Sequence, residues 1–236
     1  MTDQTLWRTI AETLRAEIAG GVRGAGDRLP TEAQLSARFG VNRHTVRRAL
    51  AALAGEGLVH ARRGAGVFVA AARAEYPIGP RVRFRQSMEA AGRVPGKRIL
   101  ASETRAATEG EARVLRLAPG ETVHVTDGIA LADGAPVALF HAIYPLGRLP
   151  GLPEALAGHG SVTRALLACG VPDYVRVSTR ISAVLASPVE AGHLQVAPGA
   201  PLLLSEAVNA TPGGMPVELG FTRFAGERIA LTLDHS

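Results

Sequence analysis

The chain has 236 residues, 47% of them hydrophobic and 20% charged, which is enough for one large or two ordinary domains with packed cores and excludes global disorder. No apolar run reaches the ~18 residues of a membrane helix, and the opening MTDQTLWRTIAETLRAEI is amphipathic rather than signal-like. Cys169 is the single cysteine, so no internal disulfide forms, and the net charge of +5 is unevenly spread.

These features point to a soluble, cytoplasmic protein. The first 70 residues carry ten Arg against six acids, while the rest of the chain is close to balance, with sixteen basic residues against fifteen acidic. Between Arg43 and Arg63 five arginines face Glu56 alone, and such local positive charge suits a polyanion.

In chain order, Leu6, Ile10, Leu14 and Ile18 recur every four residues and predict an amphipathic helix ending at Gly20-Gly21. The stretch GVRGAGDRLP follows as a loop. Thr31 is placed to cap a second helix with Gln34 as its capping-box partner, and Leu35 and Phe39 form the buried face. Gly40 stops that helix and Asn42 caps a third. There Val46, Ala49, Leu50 and Leu53 point one way, while Arg43, His44, Arg47 and Arg48 lie largely on the other side. The run LVHARRGAGVFVA then reads as a β-hairpin around Gly64-Ala65-Gly66.

Helix, short helix, tight turn, helix and hairpin make a winged helix-turn-helix over residues 1–70. In the first turn of the third helix, Arg43 can chelate a guanine edge, and His44 and Thr45 can bond base or phosphate. Arg47 and Arg48, one turn on, suit phosphate. Arg62, Arg63 and the Gly64 backbone at the hairpin tip suit a neighbouring strand or the minor groove. The segment LPTEAQLSARFGVNRHTVRRALAALAGEGLVHARRGAGVFV resembles the DNA-binding signature of the GntR family of bacterial transcription regulators. The resemblance implies operator contacts for Arg43, His44, Thr45, Arg47, Arg63 and Gly64; at a position where some relatives carry a contacting Arg, this chain has Ala33.

Residues 71–80 read as a linker. Beyond it EARVLRLAPGETVHV (111–125) resembles EAGHLQVAPGAPLLL (190–204), and GAPVAL (134–139) resembles GMPVEL (214–219). Each copy reads as short helix, APG turn, strand, turn and strand, a duplicated unit whose hairpins join one antiparallel sheet. Glu218 of the second copy stands where the first has Ala138. Ser161 and Thr163 open a helix between the copies, with Arg176 beyond it and Arg81, Arg83 and Arg85 ahead of the first copy. The set suits either an anion site or an ordinary cap among surface arginines.

Residues 81–236 resemble the UTRA effector domain of the HutC branch of the GntR family, whose fold is similar to chorismate lyase. The segments YPIGPRVRF, SVTRALLACGVPDYVRVSTRISA and PVELGFTRFAGERIAL are similar to the branch's regulators of phosphonate metabolism. The resemblance implies an α+β chain: a winged helix-turn-helix followed by an antiparallel-sheet domain that binds effector and dimerises. It also implies an effector pocket at Arg85, Gln86, Ser87, Ser161, Thr163, Glu218 and Arg223, to which Arg83 and Arg176 are added as neighbouring cations. Sugar-phosphate sensors of the branch carry an Arg-x-Arg where this chain has Gly128 and Ala130, and an acid where it has Phe140, so a phosphonate or other small anion is the implied ligand.

The seven histidines show no metal-ligand spacing, and no nucleophile elbow or Walker-type loop occurs, so no metal, cofactor or catalytic residue is expected. Cys169, at the end of an apolar helix, reads as a buried structural thiol, and Lys97, the only lysine, falls in a PGKR turn. The expected protein is a homodimeric, effector-controlled repressor that binds double-stranded operator DNA and acts on phosphonate uptake or metabolism genes. The alternatives are a regulator answering to a sugar phosphate, a histidine-type or an amino-acid-like effector, an enzyme acting on a small anion, and a DNA-tethered protein scaffold.

Overall fold

A computed structural model describes residues 3–24, 26–62, 66–70, 73–81 and 83–233, with the side chains of 3–5 and 62 outside the described set. The chain divides into two compact units, Met1–Arg73 and Ala74–Ser236. Among the described residues no helix is long and apolar enough to cross a membrane.

The first unit contains α1 (Asp3–Ala19), α2 (Glu32–Phe39), α3 (Arg43–Gly55) and a hairpin of β1 (Val59–Arg62) and β2 (Gly66–Val69). Thr31 and Gln34 form the expected capping box at α2, and Gly40, at φ 65°, turns its end in the left-handed conformation that glycine adopts without strain. Asn42 accepts from the Thr45 N–H at 2.8 Å and starts α3 two residues later. Ile10, Leu14, Leu35, Val46, Ala49, Leu50 and Leu53 are buried together, so the three apolar stripes meet in one core, with Val59 and Val69 of the hairpin closing it. Residues 26–29 do more than connect. Gly26 N–H donates to Val69 O (3.0 Å), Val69 N–H to Asp27 O (2.8 Å) and Leu29 N–H to Val67 O (2.8 Å). They form a third lane on the free edge of β2, which leaves Leu29 buried and that edge satisfied.

The second unit begins earlier than the linker reading of 71–80 allows. Within that stretch β3 (Ala74–Pro77) pairs in parallel with β10 (Ile229–Thr232). Ala74 and Tyr76 are buried while Glu75 and Pro77 are exposed, the period-2 pattern of a half-buried strand. After α4 (Phe84–Ala90), the chain runs through β4 (Pro95–Ala106), α5 (Glu109–Leu115), β5 (Thr122–Ala132) and β6 (Ala135–Pro145). A 3₁₀ turn and helices α6 (Leu152–His159) and α7 (Val162–Ala168) lead to β7 (Val175–Leu185), α8 (Pro188–Leu194), β8 (Pro201–Ala210) and β9 (Pro216–Ala225). Six strands form one antiparallel sheet in the order β4-β5-β6-β9-β8-β7.

The duplication is real and longer than its textual echo, because each copy begins one strand sooner, at β4 and β7. Thr108 with Glu111 and Ser187 with Glu190 form matching capping boxes, and α5 and α8 both end on a non-glycine residue at positive φ, Arg116 (53°) and Gln195 (55°). The central strands β6 and β9 belong to different copies, so the sheet is two four-element units joined at their last strands. α5 packs on one face through its Leu115 over Val123, Val125, Ile143 and Leu219, and α8 covers a second cluster around Leu194 and Leu202. The opposite face, over Ala142, Tyr144, Leu166 and Tyr174 and over Tyr76, Ala138 and Phe224, carries the cavity described next.

Candidate nucleic-acid interface and effector cavity

In the first turn of α3, Arg43 and His44 are exposed and make no hydrogen bond or ion pair among the described residues. They are free for a partner. Arg47 is exposed but held: its Nε and Nη2 lie 3.1 and 2.9 Å from the two carboxylate oxygens of Glu32 on α2. This hydrogen-bonded ion pair draws Glu32 below the usual carboxylate range. The Arg48 guanidinium sits 4.9 Å from the Trp7 ring centroid, a cation–π contact that ties α3 to α1.

Thr45, expected to reach base or phosphate, is instead buried at 2% exposure, with its hydroxyl 3.0 Å from the Asn42 cap oxygen. Its position on the helix, next to Val46 in the buried stripe, turns it inward. The Arg62 side chain, Arg63 and Gly64 lie outside the described residues; β1 and β2 leading to them are formed, with Arg62 opposite Gly66. Sequence reasoning missed Glu32 and Trp7, which act only through contacts between helices.

In the second unit, a cavity of about 230 Å³ opens between β6 and β9, α4, α7 and the strands β3, β4 and β7. Alternate residues of the central strands form its floor: Phe140, Ala142 and Tyr144 on β6, and Glu218, Gly220, Thr222 and Phe224 on β9. Arg83, Arg85, Ser161, Thr163, Arg176 and Glu218, all expected from the sequence, line it together. Three others do not. Arg223 lies between Thr222 and Phe224 and so points to the other face of β9, where its Nε meets Glu190 of α8 at 2.9 Å. The buried Ser87 hydroxyl donates to the Arg83 carbonyl at 3.0 Å, one turn back along α4, and Gln86 is exposed outside the cavity.

The cations differ in what holds them. Arg83 stacks 3.6 Å above the Tyr174 ring and donates to the Tyr174 carbonyl at 2.7 Å. Arg85, half exposed, reaches Glu89 at 3.3 Å. Burial pushes the Tyr76 phenol up, against the nearby charge of Arg176, whose own Nε is buried with no hydrogen-bond partner among the described residues. A buried, unsatisfied guanidinium donor is costly, and a bound acceptor would relieve it.

Lys97 belongs here too. It is on β4 rather than in a turn, and burial together with the charge of Arg85 pushes its ammonium pKa down, against the pull of Glu218. Ser161 precedes α7 without making a side-chain cap, which removes the ordinary-cap reading, and Thr163 Oγ1 lies 2.9 Å from the Tyr174 hydroxyl. On the floor, Glu218 accepts from Tyr144 Oη at 3.1 Å and from Asn209 Nδ2 at 2.6 Å. Burial, and then the Glu218 charge, push the Tyr144 phenol well above its ordinary value, which keeps it a donor.

Tyr76, Lys97, Tyr144, Tyr174 and Asn209 were not expected in the site. Of these, Asn209 had a signal, because it is the register partner of Glu218 across the β8–β9 hairpin. Gly128 and Phe140 face each other across β5 and β6, and a Cβ at 128 would come within 2.4 Å of the Phe140 ring and 2.7 Å of the Arg98 carbonyl. Two of the three departures from the sugar-phosphate pattern, Gly128 and Phe140, are therefore one feature: the ring occupies the place that a side chain at 128 would need. Among the described residues no group of three His, Cys, Asp or Glu could hold a metal.

A helix-turn-helix with an open basic first turn and a wing, in one chain with a second unit that encloses a cation-lined cavity, defines a DNA-binding regulator with an appended cavity-bearing unit. The family model for bacterial regulatory proteins of the gntR family matches residues 6–69, and that for the UTRA domain matches 90–230. The chain belongs to the GntR family in its UTRA-containing form; it is a transcriptional regulator and not an enzyme.

It is 41% identical over 230 residues to the HTH-type transcriptional regulator RB1450 of Rhizobium meliloti, covering 97% of this chain and 94% of that one. It is 33% identical over 233 residues to the probable transcriptional regulator PhnF of Escherichia coli, covering 98% and 95%. The crystal structure of PhnF from Mycobacterium smegmatis superposes with a TM-score of 0.67 at 25% identity, over 96% of this chain and 99% of that one. The PhnF of Mycolicibacterium smegmatis, 28% identical over 94% of this chain and 90% of that one, is a transcriptional repressor by name.

Proposed function

We propose that this regulator is a cytoplasmic homodimeric repressor that binds operator DNA and is controlled by a small organic anion of the phosphonate or phosphate-ester class. Its targets on this reading are genes for phosphonate uptake or metabolism. The observation that carries the anion reading is the Arg176 Nε, buried and unsatisfied in a cavity also lined by Arg83, Arg85 and Lys97. Guanidinium forks match tetrahedral oxyanions in geometry and charge. The likeness to PhnF supports the phosphonate class. A hexose phosphate fits the cavity less well, since the Phe140 ring fills the space at Gly128.

On the DNA side, Arg43 and His44 read base edges and Arg47 holds phosphate after exchanging Glu32 for it, with Arg63 and Gly64 reaching from the wing. Dimerisation is supported by the two sheet edges. β4 and β7 are exposed along most of their length and leave Ile99, Leu100, Val177, Ile181 and Leu185 open to water. Unpaired apolar edges are ready templates for strand pairing. A hundredfold change in operator affinity requires about 2.7 kcal/mol of coupling, within reach of a few charge-assisted hydrogen bonds made in one state only.

The test is a fluorescence-anisotropy titration of the DNA upstream of the protein's own gene, with and without a panel of phosphonates and phosphate esters. Release by a phosphonate is the expected result. Tight binding that no compound alters would remove the anion class, and absence of sequence-selective binding would remove the operator contacts assigned to α3.

A further inference from the structure

The cavity carries a charge that an anion alone leaves unanswered. Both oxygens of Glu218 accept hydrogen bonds, but only from neutral donors, Tyr144 Oη at 3.1 Å and Asn209 Nδ2 at 2.6 Å. Among the described residues no Arg, Lys or His nitrogen forms an ion pair with it, although four cations line the same cavity. Arg83 is committed to the Tyr174 carbonyl and Arg85 to Glu89, and neither Arg176 nor Lys97 forms an ion pair among the described residues.

A carboxylate offers about four acceptor positions, so two remain free on Glu218. Glu218 is half-buried and has no cationic partner among the described residues, and the orphaned Arg176 Nε is costly to leave unsatisfied. The two groups have opposite sign, line one cavity, and form no ion pair or hydrogen bond with each other. A simple dianion would answer Arg176 and be repelled by Glu218.

We infer that the effector is a zwitterion, an ω-amino organophosphonate or the corresponding phosphate ester, with its acidic group at Arg176 and Lys97 and its ammonium on Glu218. This rests on the proposed reading of the cavity as an anion-binding effector site. It adds that Glu218 selects for a positive charge at the far end of the ligand. The ammonium donates to the free lone pairs of Glu218 while Tyr144 and Asn209 hold the carboxylate still. The acidic group supplies the acceptor that Arg176 lacks.

Isothermal titration calorimetry on the full chain separates the possibilities. 2-Aminoethylphosphonate, n-propylphosphonate (the same shape with a methyl in place of the ammonium) and O-phosphoethanolamine are compared. The native chain is expected to prefer 2-aminoethylphosphonate to n-propylphosphonate by about tenfold or more, as for a charge-assisted pair in a sheltered site. The ester then tells phosphonate from phosphate. In Glu218→Gln the preference should vanish or reverse, as n-propylphosphonate gains affinity. Glu218→Asp, which keeps the charge one methylene further back, should shift preference toward 3-aminopropylphosphonate, and thermal melts of both variants report folding. Equal binding of the two isosteres by the native chain, or a preference that survives Glu218→Gln in a folded chain, overturns the zwitterion while leaving the anion site in place. Binding of none of these compounds at millimolar concentration overturns both.

Discussion

Arg43 differs from its neighbours on α3 in having nothing to give up when DNA arrives. On the proposed reading Arg47 gives up Glu32 to reach phosphate, whereas Arg48 is committed to the Trp7 ring. Replacing Arg43 by Ala should therefore act on base discrimination directly and cost about 1–3 kcal/mol, measured as the operator-to-scrambled affinity ratio. An unchanged ratio would take Arg43 out of the reading set. In the second unit, the contact between Gly128 and Phe140 makes a similarly local prediction. Gly128→Ala should destabilise the unit by about 1–3 kcal/mol through overpacking. Phe140→Ala should recover only part of that loss, because the Arg98 carbonyl would still be 2.7 Å from the new Cβ. Additive costs in a double-mutant cycle would mean that the ring is not the obstacle.

Elements repeat where residues do not. α5 and α8 share capping boxes and left-handed C-caps, but their acids have different partners. Glu111 is gripped by Arg105 of β4 through two contacts of 2.7 Å, and Glu190 meets Arg223 from the sheet's second half. The Arg105 hydrogen bonds, with help from the Thr108 cap and against burial, hold the Glu111 carboxyl at about 2. Its folded value lies below the unfolded one, so its stabilising contribution is complete above the ordinary carboxylate range and is lost as pH falls from about 4.5 toward 2. Glu111→Gln should lower stability by about 1–3 kcal/mol at pH 7, with the difference from the native chain closing as pH approaches 2. Denaturant melts across that range check it, and a gap that persists at pH 2 would assign the loss to packing instead.

For the molecule as a whole, the exposed edges β4 and β7 carry the expectation of a dimer. Lysine on an edge strand blocks strand pairing at little cost to the fold. Ile181→Lys on β7 and Leu100→Lys on β4, made separately, should show which edge is used by shifting the sedimentation of the intact chain toward monomer. The same variant should lose operator affinity more than tenfold, since one head cannot hold two half-sites. If neither variant changes the oligomeric state, the sheet edges are not the interface.

Much of the first unit was legible in the linear text because its determinants are local. Caps at Thr31 and Asn42, a stop at Gly40 and apolar stripes of helical period each act over one or two turns, and they all point to the same answer. Even there Thr45 escaped, because one step around a helix decides whether a hydroxyl faces water or the core. The duplication was legible through its APG turns, but its first strands, β4 and β7, were not, since edge strands exposed on most of their length lack the alternation that marks a half-buried strand.

The cavity was half legible. Charged residues stand out in a sequence, so Arg83, Arg85, Arg176 and Glu218 could be named from it. The parity that sends Glu218 into the cavity and Arg223 to the opposite face depends on which side of β9 is covered. Tyr144, Asn209 and Lys97 reach the same space from positions 47 to 112 residues from one another along the chain, and nothing local distinguishes them from ordinary strand residues. By itself the sequence determined the family, the helix-turn-helix and the repeat, which are written in short-range pattern. Only the tertiary structure decided which polar groups meet and which remain unsatisfied, because pairing and burial are properties of strand register and packing between elements.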